Sequence, residues 1–355
     1  MKKLTSLLMV LIMLLSLATA CSSQTEAPSA APEQSAPSTT EAPKTDVKDP
    51  IVIKYGHICA EDHSVNLAAN KFKEYVEKES NGEMVVEIYP NALLGGDVQM
   101  TEAVALGTIQ MALPSTSVLV MYSPMFGALD MPFMFTNTEK AFEGLNGGPI
   151  GEKLDAELEK VGIINVGYNF NGIRNMTNNV RPINEPDDLK GVKMRVMESP
   201  VFIDMFKYLG SNATPMSFSE LFTALQQKTV DGQENPASLI YASKFQEVQK
   251  YLSLTEHVYS FCANIMNKDF YEKLTDNQKA IINEGAKQFL VDWQINSEIN
   301  DNQKFIDELE KAGMEVNTVT PENKQKFVDA VAPMYEKYQE ELGKEIFDII
   351  EPYRQ

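Results

Sequence analysis

Apolar residues recur along the chain with two alternating periods from about residue 50 onward. The run from Ile51 to Gly56 is rich in β-branched and apolar side chains, which is typical of a strand. The next apolar residues return every three or four positions, a helical spacing that Asn81-Gly82 ends. Further strands are predicted over residues 84–89, 109–113 and 163–168, and further helices over residues 98–106 and 150–161.

A second series of strand and helix patterns follows in the other half of the chain. Ser217 and Glu220 have the spacing of a capping box before an apolar helix, and Pro236 is predicted to open a long helix that reaches about Leu252. The alternation of strands and helices indicates α/β units with parallel strands. There are enough units to favour two lobes over a single sheet, and a ligand is expected to bind between the lobes. The remaining strands are predicted over residues 192–196, 213–216, 230–234, 260–266 and 314–319, and long helices over residues 277–311 and 322–350.

Composition and charge narrow the class of protein. The chain has 355 residues, which is comfortable for two domains, and its 43% hydrophobic and 23% charged residues are ordinary for a globular protein. This excludes fibrous and multi-span membrane classes for most of the chain. The formal net charge of −19 argues against a nucleic-acid partner, because an acidic surface repels phosphates.

The first 49 residues differ from the rest of the chain. Residues 1–20 combine a basic start, an apolar run and small residues, which is typical of a secretory signal peptide. Cys21 follows as in a bacterial lipobox and is predicted to carry a lipid, although Ala18 stands where lipoboxes most often have Leu; an ordinary cleavable signal is the alternative. The segment from Cys21 to residue 49 is rich in Ser, Thr, Ala, Pro and Glu, which is typical of a disordered tether. We therefore predict an extracytoplasmic protein anchored to the bacterial membrane by its lipid.

The chain offers few of the groups that catalysis or metal binding requires. It has three histidines, and it lacks the HExxH, GxSxG, P-loop and CxxC patterns. Cys59 and Cys262 lie in strand-like segments, either as buried free thiols or as a disulfide formed outside the cytoplasm. We predict no enzyme activity, no cofactor and no metal site.

The stretch from Asn171 to Pro236 contains several ordered motifs. They are an N-G-x-R turn, the strand DLKGVKMRV, the helix start TPMSFSELFTALQ and the segment DGQENP, with IYPNALLGGD and MPFMF further towards the N-terminus. Together they closely resemble the extracytoplasmic solute receptors of TRAP (tripartite ATP-independent periplasmic) transporters, the DctP family. The resemblance covers essentially all of residues 50–355.

This resemblance implies a receptor of periplasmic-binding-protein-like α/β fold, with a ligand cleft between two lobes and a long helix that crosses both. Lobe I would comprise residues 50–172 and 262–300, and lobe II residues 173–261 and 301–355. Such a receptor binds an organic acid and delivers it to the membrane permease subunits. We expect it to act as a monomer.

The resemblance also assigns the residues that hold the ligand carboxylate. Arg195 matches the arginine that pairs with the carboxylate, Arg174 matches a second cationic contact, and Asn235 matches a polar residue that completes the site. The chemistry agrees, because a guanidinium offers a planar fork to a carboxylate, and Arg195 lies at a strand end in an acidic protein. The alternatives are structural salt bridges for the arginines and a helix cap for Asn235.

The choice of ligand is open at this stage. The sialic-acid branch of the family has an acid and an arginine where this chain has Ser115 and Val118, and an amide where it has Glu198, which argues against sialic acid. A sugar acid, a C4-dicarboxylate or a related monocarboxylate remains. The expected selectivity residues are Ser115, Phe218, Glu198, Gln99 and His57.

Two other functions are compatible with the same scaffold. One is a ligand-binding module that feeds a sensor instead of a transporter. The other is a secreted enzyme, which would need a nucleophile with a base or a metal.

Overall fold

The computed structural model describes residues 49–355, so the predicted signal peptide, Cys21 and the tether lie outside the described residues. In the described part, nine strands join in one sheet, and the α/β class is confirmed. The strands are β1 (Ile51–Gly56), β2 (Met84–Tyr89), β3 (Met111–Ala112), β4 (Ile163–Asn178), β5 (Lys193–Val196), β6 (Asn212–Pro215), β7 (Gly232–Pro236), β8 (Tyr251–Asn267) and β9 (Glu315–Thr318).

Helices surround the sheet and supply most of the apolar residues that pack on it. They are α1 (Ser64–Glu79), α2 (Asp97–Ala105), α3 (Thr138–Leu145), α4 (Pro149–Glu159), α5 (Pro200–Tyr208), α6 (Phe218–Gln226), α7 (Ala237–Ala242), α8 (Lys268–Glu272), α9 (Asp276–Gly285), α10 (Gln294–Lys311), α11 (Pro321–Leu342) and α12 (Lys344–Ile350). A π-helical segment, Ala286–Trp293, joins α9 to α10, so the long helix predicted from about residue 277 is continuous to Lys311.

The order of the strands is β2-β1-β3-β8-β4-β7-β5-β6, with β9 paired to β8. Strands β1, β2 and β3 are parallel to one another, and β5 is parallel to both β6 and β7. Between the two groups lie β8 and β4, which are antiparallel to each other and have 17 and 16 residues. The two groups are therefore part of one continuous sheet, whereas the sequence had favoured more than one.

The register of the two long strands positions the ends of the shorter ones. Strand β3 runs along one end of β8, where Ala112 is opposite Ile265. Strand β7 runs along the far end of β4 in the opposite direction and finishes with Pro236 opposite Arg174. The carboxyl ends of both parallel groups therefore point towards the middle of β4 and β8. In open α/β sheets this edge is where ligands bind.

The long helix predicted from Pro236 to about Leu252 is wrong. Helix α7 ends at Ala242, Lys244 adopts a left-handed conformation with φ 58°, and β8 starts at Tyr251. The reason is tertiary pairing: residues 251–254 bond to β9, and residues 251–253 also bond to β4. The capping box at α6 is also absent, because the Ser217 hydroxyl bonds to Ser219 and not to the backbone.

The described residues form part of one compact unit, and the lobe boundaries stay a prediction. Helix α12 packs on α4 and on the 3₁₀ segment Pro124–Asp130, so the C-terminal part of the chain contacts a segment that precedes β4. No helix among residues 49–355 is long and apolar enough to cross a membrane.

Candidate ligand-binding site

A cavity with about 540 Å³ of empty space lies where the carboxyl ends of the strands converge. The elements that line it come from both halves of the sheet. The polar lining residues are Asp97, Ser115, Asn171, Arg174, Arg195, Glu198, Ser217 and Asn235; the others are Ile58, Cys59, Leu113, Val118, Met197, Phe218, Leu239 and Cys262.

Arg195 is a buried cation in the wall of the cavity. It lies on β5 between the fully buried Met194 and Val196, and only 3% of it is exposed. Its Nε donates to the carbonyl of Met216 at 2.8 Å, and no carboxylate lies within 4 Å of its guanidinium among residues 49–355. Burial lowers the pKa of Arg195 to about 10, which still leaves it charged at neutral pH. A charge in this position needs an anionic partner, and the cavity is where one could bind.

Arg174, in contrast, has a carboxylate partner inside the protein. Its Nε and Nη2 both donate to the carboxylate of Glu234, and the pair is fully buried. Burial by itself raises the pKa of Glu234, but Arg174 and His257 outweigh it and hold the pKa below its usual value. Arg174 also donates to the Ser260 hydroxyl at 3.4 Å. Arg174 lines the cavity, but most of its positive charge is compensated by Glu234.

Asn235 connects this ion pair to the cavity wall. Its Oδ1 accepts from Arg174 Nη2 at 3.0 Å, and its Nδ2 donates to Gln233. The residue at the cap position of α7 is Pro236, so the side chain of Asn235 is occupied with Arg174 and not with a helix end.

The five expected selectivity residues divide into two groups. Ser115, Phe218 and Glu198 line the cavity, and Glu198 is exposed, which places it on the solvent side. His57 and Gln99 do not line it. His57 is fully buried, its Nε2 lies 3.2 Å from Asn66 Oδ1, and burial lowers its pKa to about 4. Gln99 is exposed on α2.

Sequence reasoning missed Asp97 and Asn171. Asp97 is the first residue of α2; its Oδ2 accepts weakly from the Ser115 amide at 3.4 Å, and its Oδ1 is buried without a hydrogen-bond partner. Burial raises the pKa of Asp97 to about 7. The signal was present in the motif IYPNALLGGD, which ends on Asp97, but only the fold shows that this helix start faces Arg195 across one cavity.

Both cavity cysteines, Cys59 and Cys262, are buried free thiols. Burial raises the pKa of each, so they stay protonated and are not activated as nucleophiles. Across the described residues no group of three or more His, Cys, Asp or Glu is placed to hold a metal ion. The arrangement is suited to binding an anion by charge and hydrogen bonds.

This fold and this cavity are those of a binding protein for small solutes. The chain belongs to the DctP family, the bacterial extracellular solute-binding proteins of family 7, whose model matches residues 55–342. The expected membership among TRAP solute receptors is thereby confirmed.

Individual relatives support this membership. The chain is 35% identical over 301 residues to the C4-dicarboxylate-binding protein DctB of Bacillus subtilis, covering 84% of this chain and 85% of that one. It is 35% identical over 280 residues to the 2,3-diketo-L-gulonate-binding periplasmic protein YiaO of Escherichia coli, covering 79% and 84%. The solved structure of the sugar acid binding protein DctPAm of Advenella mimigardefordensis, in complex with galactonate, is 37% identical and has a TM-score of 0.82, covering 86% of this chain and 99% of that one. This similarity confirms the two-lobed α/β fold.

Proposed function

We propose that this TRAP solute receptor binds an organic acid in the central cavity, with the carboxylate held by Arg195. The observation that carries the proposal is that Arg195 is buried at the cavity without a carboxylate partner in residues 49–355. A ligand carboxylate would accept two parallel hydrogen bonds from its guanidinium. Arg174 on β4 and Asn235 on β7 would complete the site. Their side chains are already hydrogen-bonded to each other, so the pair is preorganised.

The ligand class rests on the cavity and on the relatives. Proteins similar to this chain are described as binding C4-dicarboxylates, 2,3-diketo-L-gulonate and galactonate. All these solutes carry a carboxylate that an arginine can recognise. For this chain we propose a sugar acid, a C4-dicarboxylate or a related monocarboxylate.

The rest of the proposal concerns how the receptor works in the cell. The loaded receptor delivers its ligand to TRAP permease subunits, acts as a monomer without catalysis, and is held at the membrane by a lipid on Cys21. Lobe I (50–172 and 262–300) and lobe II (173–261 and 301–355) close on the ligand. Two of the three divisions between these lobes fall in the middle of β4 and β8, where the cavity also lies, and the third falls in α10.

Calorimetric titration of the purified chain with a panel of organic acids tests the proposal. At least one acid should bind, and Arg195→Ala should weaken it by about 2–5 kcal/mol, the usual cost of removing one partner of a desolvated charge pair. That loss is roughly 30-fold to several thousand-fold in Kd, at about 1.4 kcal/mol per tenfold. Arg195→Lys should recover only part of it, because an ammonium keeps the charge but loses the fork. If Arg195→Ala stays folded and binds within about threefold of the unmodified chain, Arg195 does not hold the ligand.

A further inference from the structure

A chain of hydrogen bonds connects the wall of the cavity to a buried acid outside it. Ser115 lines the cavity, and its hydroxyl donates to the hydroxyl of Ser117 at 3.2 Å. The Ser117 hydroxyl in turn donates to Oδ1 of Asp130 at 2.6 Å. Asp130 does not line the cavity, and only 2% of it is exposed. An acid outside the cavity is therefore joined to a residue of its wall through one intervening side chain.

The partners of the Asp130 carboxylate are hydroxyl groups. Its second oxygen, Oδ2, accepts from the hydroxyl of Ser199 at 3.0 Å. Burial raises the pKa of Asp130 to about 7, while the hydrogen bonds from the two serines act in the opposite direction. At pH 8 the group is therefore mainly ionised, and an ionised carboxylate can only accept hydrogen bonds.

The charge of Asp130 fixes the direction of the whole chain. Ser117 must use its single hydroxyl proton to reach the carboxylate, so it has only lone pairs to offer to Ser115. The proton of Ser115 is then directed at Ser117 and is not available to a ligand. The oxygen of Ser115 also accepts from the amide of Ser117 at 3.3 Å, which leaves it one lone pair. Towards the cavity, Ser115 can accept a hydrogen bond but cannot donate one.

Building on the proposed function, we propose that Asp130 is a positioning residue for ligand selection: by orienting the hydroxyls of Ser117 and Ser115, it makes Ser115 an acceptor for a hydroxyl of the bound acid. An acid with a carbonyl at that place sets one lone pair against another and cannot form the bond. Without the carboxylate, Ser117 is free to donate to Ser115, and Ser115 is free to donate to a carbonyl. Asp130 thus selects between ligands that it does not touch.

Pairs of acids in which a carbonyl replaces one hydroxyl test the proposal. They are D-glycerate with hydroxypyruvate, L-malate with oxaloacetate, and L-lactate with pyruvate. Calorimetric titration gives the ratio of the Kd of the keto acid to the Kd of the hydroxy acid. Titrations are run at pH 8, where Asp130 and Asp97, whose pKa burial also raises to about 7, are both mainly ionised. A substitution that merely loosens the cavity weakens both members of a pair and leaves their ratio unchanged.

We expect the unmodified chain to bind the hydroxy acid at least about fivefold more tightly in one or more pairs, the usual size of one neutral hydrogen bond. Asp130→Val, which removes the acceptor, and Ser117→Ala, which interrupts the chain, should each lower this ratio about fivefold. In a Ser115→Ala background, neither substitution should lower it further. The control is Ser199→Ala, which also removes one hydroxyl from Asp130 but is not on the path to Ser115, so its ratio should stay unchanged.

Three outcomes would overturn this proposal and leave carboxylate binding at Arg195 intact. The first is equal or tighter binding of the keto acid in every pair. The second is a ratio within about twofold of the unmodified chain in both Asp130→Val and Ser117→Ala. The third is a ratio that Ser199→Ala lowers as much as Ser117→Ala does.

The two serine variants keep the test decisive if Asp130→Val does not fold, because each removes a single hydroxyl from the same carboxylate. Failure of the proposed function gives a different result. If none of the acids binds, or if Arg195→Ala leaves their binding unchanged, both proposals are overturned.

Discussion

The carboxylate of Glu234 on β7 lies against the guanidinium of Arg174 on the neighbouring strand β4, and both side chains are fully buried. The pair is reinforced by His257, whose Nε2 lies 3.2 Å from Glu234, and by the ring of Phe202, 5.3 Å from the guanidinium carbon. This relationship separates the two arginines of the cavity. Arg174 is paired with a carboxylate of the protein, whereas Arg195 has no carboxylate within 4 Å among residues 49–355.

Arg174→Ala is therefore expected to destabilise the protein without ligand. Removing one partner of a buried ion pair typically costs about 3–5 kcal/mol, because the remaining charge is left uncompensated. Because Arg195 has no carboxylate partner among residues 49–355, Arg195→Ala does not leave a buried carboxylate unpaired. Its loss of stability should therefore be much smaller. Urea denaturation of both variants measures the difference, and equal losses of stability would contradict the structural role of Arg174.

Glu298 on α10 predicts a dependence of stability on pH. Its buried carboxylate accepts from the hydroxyls of Ser64 on α1 and Ser238 on α7, and burial raises its pKa from 4.5 to about 7 against the effect of these bonds. The folded state thus holds a proton that the unfolded state releases. Its contribution to stability is complete below pH 4.5 and is lost as the pH rises through about 7.

The melting temperature should accordingly fall less between pH 5 and pH 8 in Glu298→Gln than in the unmodified chain. Asp97 and Asp130, whose pKa values burial also raises to about 7, remain in the variant, so the slope should decrease and not vanish. Calorimetric melts at four or five pH values measure it. Parallel curves for the two proteins would show that Glu298 is not the group responsible.

Binding should bring the two lobes together. The cavity is lined from both parallel groups of strands, so one ligand bridges them, and hinge closure around such ligands is common in binding proteins. Small-angle scattering should give a smaller radius of gyration at saturation with a bound acid than without it. The control is Arg195→Ala in the same acid, for which no change is expected. An unchanged radius in the unmodified chain would indicate a rigid site.

Cys21→Ser should abolish lipid attachment and release the receptor from the membrane. The reason is chemical, since the predicted lipid is carried by the cysteine sulfur. Metabolic labelling with a fatty acid followed by membrane fractionation tests it, with Cys59→Ser as the control because that thiol is buried in the fold. Labelling that persists in Cys21→Ser would rule out this anchor.

The sequence alone determined the features that depend on neighbours along the chain. The strands at Ile51–Gly56 and Met84–Tyr89 and the helix ending at Lys311 follow from local periodicity. Family membership followed from ordered motifs, and the position of Arg195 at the end of a strand could be seen in DLKGVKMRV. Each of these needs only residues that are close in the sequence.

The tertiary structure decided which of these residues meet. Glu234 neutralises Arg174 because the antiparallel register of β4 and β7 places Glu234 opposite Met176, two residues from Arg174, and no local pattern contains that register. Asp97 lines the same cavity as Arg195 only because the fold brings the start of α2 and the end of β5, from the other half of the sheet, to one place. The segment around Leu252 became a strand because β4 and β9 supplied partners for its backbone. Charge compensation, burial and backbone pairing are properties of contacts between distant segments, so only the folded chain could assign them.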